Sequence, residues 1–139
     1  MTRHQMREAA FMLIFERSFL NDTVEEIVAA ARECDSFPLN EQAVALFRGV
    51  DRHREELDRV IERHLKNWTL ARISKVSLAV LRLAVYEMEY CDDISDEIAI
   101  SEAVKIAQIY TLRDDVTFVN GALASVSRDR AAAKAAGRS

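Results

Sequence analysis

The sequence has few of the residues that break or staple a chain. Three glycines and one proline occur in 139 residues, so helix breakers are scarce. The two cysteines, Cys34 and Cys91, lie far apart. They read as reduced thiols rather than a disulfide framework, and the cytoplasm is the expected compartment. No apolar run reaches the ~18 residues of a spanning helix, so no membrane segment is expected. The polar start from Met1 to Arg7 lacks the apolar centre and small cleavage-site residues of a signal peptide. Isolated glycines cannot form a phosphate-cradling loop, and no Gly-x-Ser-x-Gly elbow is present. An excess of positive charge is missing too. The net charge is −4 and the isoelectric point about 5.4, which on its own argues against nucleic-acid binding. Any such contact must be local.

What is present is helical periodicity in a chain that is 50% hydrophobic, long enough to bury one substantial core. Met6, Ala9, Ala10, Leu13 and Ile14 repeat at helical spacing from a start near Thr2 or Arg3, and Asn21-Asp22 ends that helix. Asp22-x-x-Glu25 and Thr23-x-x-Glu26 are both capping-box patterns for a second helix with Val24, Ile27, Val28 and Ala31 inward. Ser36-Phe37-Pro38 reads as a linker. Asn40 caps a third helix in which Gly49 costs ~1 kcal/mol relative to Ala, implying a close helix approach or a kink. The pattern resumes with Leu57, Val60, Ile61 and Leu65 and ends near Trp68. After a turn at 69–74, the segment 76–90 is apolar nearly all round, as a central helix would be. A further helix spans 96–110, with Ile98, Ala99, Ala103, Val104, Ile106 and Ala107 inward. Asp115 is the expected N-cap of a last helix, 116–127. The expected fold is an all-α compact bundle: one domain over residues 1–130, sub-bundles of roughly 1–68 and 69–130, and a basic, frayed tail at 131–139.

The candidate chemistry is sparse. His4, His53, His64, Cys34 and Cys91 are the potential metal ligands beside the carboxylates. His53 and His64 would stand ~16 Å apart on a continuous helix, too far to share an ion. No Cys-x-x-Cys or Glu-x-x-His pattern occurs, so neither metal nor cofactor is expected. Asp51, Glu55, Glu56, Asp58 and Glu62 interleave with Arg52, Arg54, Arg59 and Arg63, as on a mixed-charge solvent face rather than a catalytic site. No catalytic residue stands out, and an enzyme is not expected. Arg3 and Arg7, four residues apart with Phe11 continuing the stripe, could contact phosphates and stack a base. They could equally be a solvated helix start above a core Phe.

Several segments together resemble the NusB family of antitermination factors. They are Arg7-Glu8-x-Ala10-x-x-x-Ile14-Phe15, Gly49-Val50 with Leu57-Asp58-x-x-Ile61, and Trp68-x-Leu70-x-Arg72-Ile73-x-x-Val76. Val80-Leu81-Arg82-x-Ala84-x-Tyr86-Glu87-Met88, Ala99-Ile100-Ser101-Glu102-Ala103-Val104-x-x-Ala107 and Phe118-Val119-Asn120-Gly121-x-Leu123 complete the set, in family order. The resemblance implies about seven helices in two sub-bundles. It also implies an RNA-binding adaptor that pairs with the small-subunit ribosomal protein acting as NusE and binds boxA-like single-stranded RNA. Through the RNA polymerase antitermination complex it would support ribosomal RNA transcription.

On this resemblance the RNA side comprises Arg3, Arg7, Tyr110, Asp114, Phe118 and Asn120, and the partner side Arg72, Lys75, Ser77 and Leu78. Arg82, Tyr86 and Glu87 match a family motif but read as structural, a charged pair fixing helix packing. The start 2–7 is less basic than the family's, and Ser77 replaces a common acidic residue. RNA affinity should therefore be weak without the partner, with a shallow salt slope. Two alternatives remain open here: a protein-only adaptor or homodimer that hides its RNA face, and the RNA-binding module of an RNA cytosine methyltransferase. The second requires a cofactor domain for which 139 residues leave no room.

Overall fold

The computed structural model describes residues 2–34, 37, 39–66 and 69–137. The Ser36–Pro38 linker in most of its length, the end near Trp68 and Arg138 lie outside the described residues. Seven α-helices and one short 3₁₀ turn make up the rest, with no strand among the described residues. In chain order they are α1 (Arg3–Arg17), α2 (Val24–Glu33), α3 (Glu41–Arg52), α4 (Arg54–Arg63), α5 (Lys75–Tyr90), α6 (Asp96–Tyr110) and α7 (Arg113–Ala135), with the 3₁₀ turn at Leu70–Arg72 before α5.

Local chemistry accounts for most helix starts. Thr2, Thr23, Asn40, Ser74 and Ser95 each accept a hydrogen bond from a first-turn backbone N–H, satisfying donors that a helix start leaves free. Thr23, not Asp22, wins the choice between the two boxes, and both halves of its capping box with Glu26 are formed. α3 does not run on into α4. His53, at φ −102° and ψ 13°, closes one helix and opens the next.

α5 is the axis of the molecule. It packs against α1, α3, α4, α6 and α7, which its apolar circumference requires. Ala79, Val80, Leu81, Leu83, Ala84, Val85 and Met88 are all buried. The two expected sub-bundles share one continuous core, which draws residues from every α-helix. Gly49 shows why α3 can reach α5: a Cβ there would run into the Tyr86 hydroxyl and ring. Close helix approach, rather than a kink, is what this glycine permits. Beside it, Arg82 donates to both Asp58 oxygens at 2.8 and 2.9 Å, joining α5 to α4.

Three expectations change. Ile98 is 48% exposed rather than inward, because Ala99, Ala103, Ile106 and Ala107 fill the inner stripe of α6. α7 begins at Arg113, not after Asp115, and its N-cap Leu112 makes no side-chain cap. The segment expected to fray is helical as far as Ala135. α7 is pinned across its middle, where Ser127 donates to Asp96 at 3.0 Å and Arg130 reaches Asp96 at 3.3 Å and Glu89 at 3.6 Å. Alanine propensity carries the helix on from there.

Candidate nucleic-acid interface

The expected RNA residues divide by burial. Arg3 opens α1 with its side chain 69% exposed and a loose 3.8 Å contact to Asp93, so its guanidinium can meet an anion. Arg7, one turn later, points inward. Its side chain is 2% exposed and its Nε donates to Glu87 Oε2 at 2.7 Å. Glu87 is equally buried. Burial pushes the Glu87 carboxyl above its ordinary range, and Arg7 opposes that shift. The expectation that Arg7 contacts RNA is therefore corrected: α1 needs a partner for Glu87 of the central helix, and Arg7 is it. Glu87 is structural, as the motif suggested, but the motif's Arg82 is not its partner: Arg82 pairs with Asp58 and Glu87 with Arg7. Arg7 Nη2 has no hydrogen-bond partner among the described residues.

Tyr110, the last residue of α6, lies against α1. Its ring sits 5.0 Å from that of Phe11, tilted by 39°, and its hydroxyl donates to Glu8 Oε1 at 2.6 Å. That hydrogen bond, with lesser help from burial, pushes the phenol up to about 12. Phe11 is buried, while Tyr110 is 38% exposed, so the pair forms a fixed lower ring beneath an accessible upper one. The rings continue along α1 through Phe15, 6.0 Å from Phe11, to Phe19, 4.7 Å from Phe15. His4 extends the α1–α6 seam the other way, with Nδ1 2.7 Å from Glu102 Oε2 and Nε2 3.7 Å from Glu8. Burial opposes ionisation of Glu102, but hydrogen bonds from His4 and Lys105 outweigh it and hold the carboxyl below its ordinary value.

On α7, Asp114 is exposed and Phe118 half-buried against the core. Four residues apart, they share a helix face. Asn120 is exposed but lies about 200° round the helix from Phe118. The fold thus brings Tyr110 to α1, leaves Arg3 exposed at that helix's start, and turns Asn120 to another face.

The partner residues divide in the same way. Arg72 and Lys75 are exposed and Leu78 is half-buried. Lys75 donates to the Ser18 carbonyl at 3.0 Å and sits 4.9 Å above the Phe19 ring. Ser77 is 1% exposed and corrects the expectation of a partner contact: it stands on the inner side of α5. Sequence reasoning missed Phe19, Leu20, Ile109 and Leu112, which are 57, 43, 59 and 78% exposed. Phe19 lies four residues beyond Phe15, which was a usable signal, but it falls past the helix end. Leu112 sits in a connection, where periodicity has no meaning.

Among the described residues, no group of three or more His, Cys, Asp and Glu side chains could hold a metal ion. No helix there is long and apolar enough to cross a membrane.

Residues 4–128 match the model of the NusB family. The transcription antitermination protein NusB of Acetivibrio thermocellus is 41% identical over 130 residues, covering 91% of this chain and 88% of that protein. The namesake from Acidothermus cellulolyticus is 37% identical, covering 93% and 89%. Thermotoga maritima NusB superposes with a TM-score of 0.82 at 32% identity, covering 92% of both chains. A chain from a complex of the antitermination factors NusB and NusE with double-stranded RNA superposes at 0.79, with 25% identity and coverage of 91% and 96%.

Proposed function

This chain belongs to the NusB family, and from that membership we propose that it is a transcription antitermination factor that binds RNA and pairs with NusE. The observation that carries this reading is the agreement of sequence and fold across nearly the whole chain, including a relative solved with NusE and RNA. The protein acts as a non-catalytic adaptor in the cytoplasm, and the relatives named above are antitermination proteins rather than enzymes. It joins the RNA polymerase antitermination complex through its partner, and its RNA ligand is a boxA-like single strand.

RNA runs along the edge formed by α1, the end of α6 and the start of α7. Arg3 meets phosphate, and Tyr110 stacks a base with its accessible ring. Phe118 contributes a ring edge and Asp114 supplies polar contacts to bases or sugar, while Asn120 lies off this edge. Arg7 supports this edge from beneath by fixing α1 to α5. NusE docks on Arg72, Lys75 and Leu78, beside the exposed Phe19 that Lys75 overlies. With few cations at the RNA edge, the partner must extend the surface, and the salt slope of the chain alone is shallow.

Mixing the purified chain with its NusE counterpart and a boxA-like RNA tests this. Co-elution of all three is the expected outcome, with Tyr110→Ala and Arg3→Ala each weakening RNA retention while helicity stays constant. A chain that neither holds NusE nor retains RNA, alone or mixed, would sink the proposal.

A further inference from the structure

Tyr110 ends α6, so the helix fixes its backbone on one side only. An exposed tyrosine there would otherwise sample several rotamers. Two contacts remove that freedom: the buried Phe11 ring at 5.0 Å beneath it, and the Glu8 carboxylate that accepts its hydroxyl proton at 2.6 Å. Glu8 is itself held. It shares α1 with Phe11, and His4 Nε2 lies 3.7 Å from its second oxygen while His4 Nδ1 is anchored on Glu102 at 2.7 Å. The phenol is thus tied to α1 at its tip and rests on α1 through its face.

We propose that Glu8 is a positioning residue for Tyr110, pinning the ring over Phe11 so that its outer face stands ready for a stacked base. This inference rests on the RNA reading given above. Electrostatics alone makes the opposite demand of Glu8. A carboxylate beside an RNA path repels phosphates, so removing it should tighten binding. A ring held in its bound geometry instead spares the ordering cost of association, about 0.5–1.5 kcal/mol per immobilised side chain. The two accounts therefore differ in sign for one substitution.

RNA affinity, measured with the partner present, is compared for Glu8→Ala, Glu8→Gln, Tyr110→Ala and Tyr110→Phe, with circular dichroism confirming equal helicity. Glu8→Ala should weaken binding by about threefold to tenfold, as expected for a side chain that must be ordered again. Glu8→Gln keeps an acceptor for the hydroxyl and should retain wild-type affinity. Tyr110→Phe should resemble Glu8→Ala, and on that background Glu8→Ala should bring no further loss. A second readout needs no RNA. The near-ultraviolet tyrosinate titration of Glu8→Ala, which removes the acceptor, should show one phenol moving down from about 12 towards 10.

If Tyr110→Ala weakens binding while Glu8→Ala binds as well as wild type or better, the positioning role is overturned and the RNA reading stands. If Tyr110→Ala binds RNA as wild type does, the stacking role of Tyr110 is overturned together with the positioning role of Glu8. An unchanged tyrosine titration in Glu8→Ala would refute the hydrogen bond on which the inference depends.

Discussion

Replacing Glu87 with Leu leaves the Arg7 guanidinium buried without its carboxylate, and replacing Arg7 with Met strands Glu87 in the same way. Both side chains are 2% exposed and 2.7 Å apart, so water can compensate neither. Breaking such a pair from one side costs about 3–5 kcal/mol. For a domain of this size, that corresponds to a fall of roughly 10–20 °C in Tm. The double variant Arg7→Met/Glu87→Leu removes both charges and keeps similar volumes. It should lie within about 1 kcal/mol of wild type, or above it, because the desolvation cost of both ions disappears with them. Thermal and urea unfolding of the four proteins closes the cycle. pH adds a sign. Burial raises the Glu87 carboxyl above its ordinary value of 4.5, with Arg7 opposing, so the folded state holds this proton more tightly than the unfolded chain does. The stability this confers is present below about 4.5 and is lost as pH rises through the folded value. The double variant should lose that part of the pH slope. A double variant as unstable as the two singles added together would refute the account of a self-compensating pair. A tenfold loss of RNA affinity in a well-folded double variant would return Arg7 to the RNA contacts.

Other perturbations test other parts of the fold. Thr23→Ala removes one half of the α2 capping box and should cost ~1 kcal/mol in urea unfolding. Gly49→Ala gains ~1 kcal/mol of helix propensity but drives a methyl group into Tyr86, an overpacking that costs ~1–3 kcal/mol. The net should be a lower Tm, partly restored by Tyr86→Phe because the hydroxyl is the nearest obstacle. The Tyr90 phenol, raised to about 12 chiefly by its hydrogen bond to Glu56, supports the fold below pH 10 and loses that support as pH rises towards 12. Glu56→Ala should flatten this alkaline slope. Arg130→Ala unties α7 from Asp96 and Glu89 and should reduce helicity by circular dichroism more than it lowers Tm.

The sequence was most informative where one residue's chemistry settles its own neighbourhood. Thr2, Thr23 and Asn40 mark helix starts because their side chains reach the nearest free N–H groups, whatever the rest of the chain does. The circumferential apolar pattern at 76–90 allows only a central helix, and α5 is that helix. The candidate site was less legible. Arg3 and Arg7 share a stripe and a side-chain type, yet one is exposed and the other holds Glu87, 80 positions away. Tyr110 and Glu8 meet across 102 positions. Helical spacing carries no information about which distant residue faces which.

What the amino-acid order determined by itself, therefore, was local: the helix starts with a capping side chain, the buried axis and the absence of familiar catalytic motifs. The tertiary structure decided what each charge does. A guanidinium becomes a core strut or a free cation according to whether the packed bundle sets a carboxylate opposite it and shuts out water. That outcome depends on the joint placement of α1, α5 and α6, whose contacts span most of the chain.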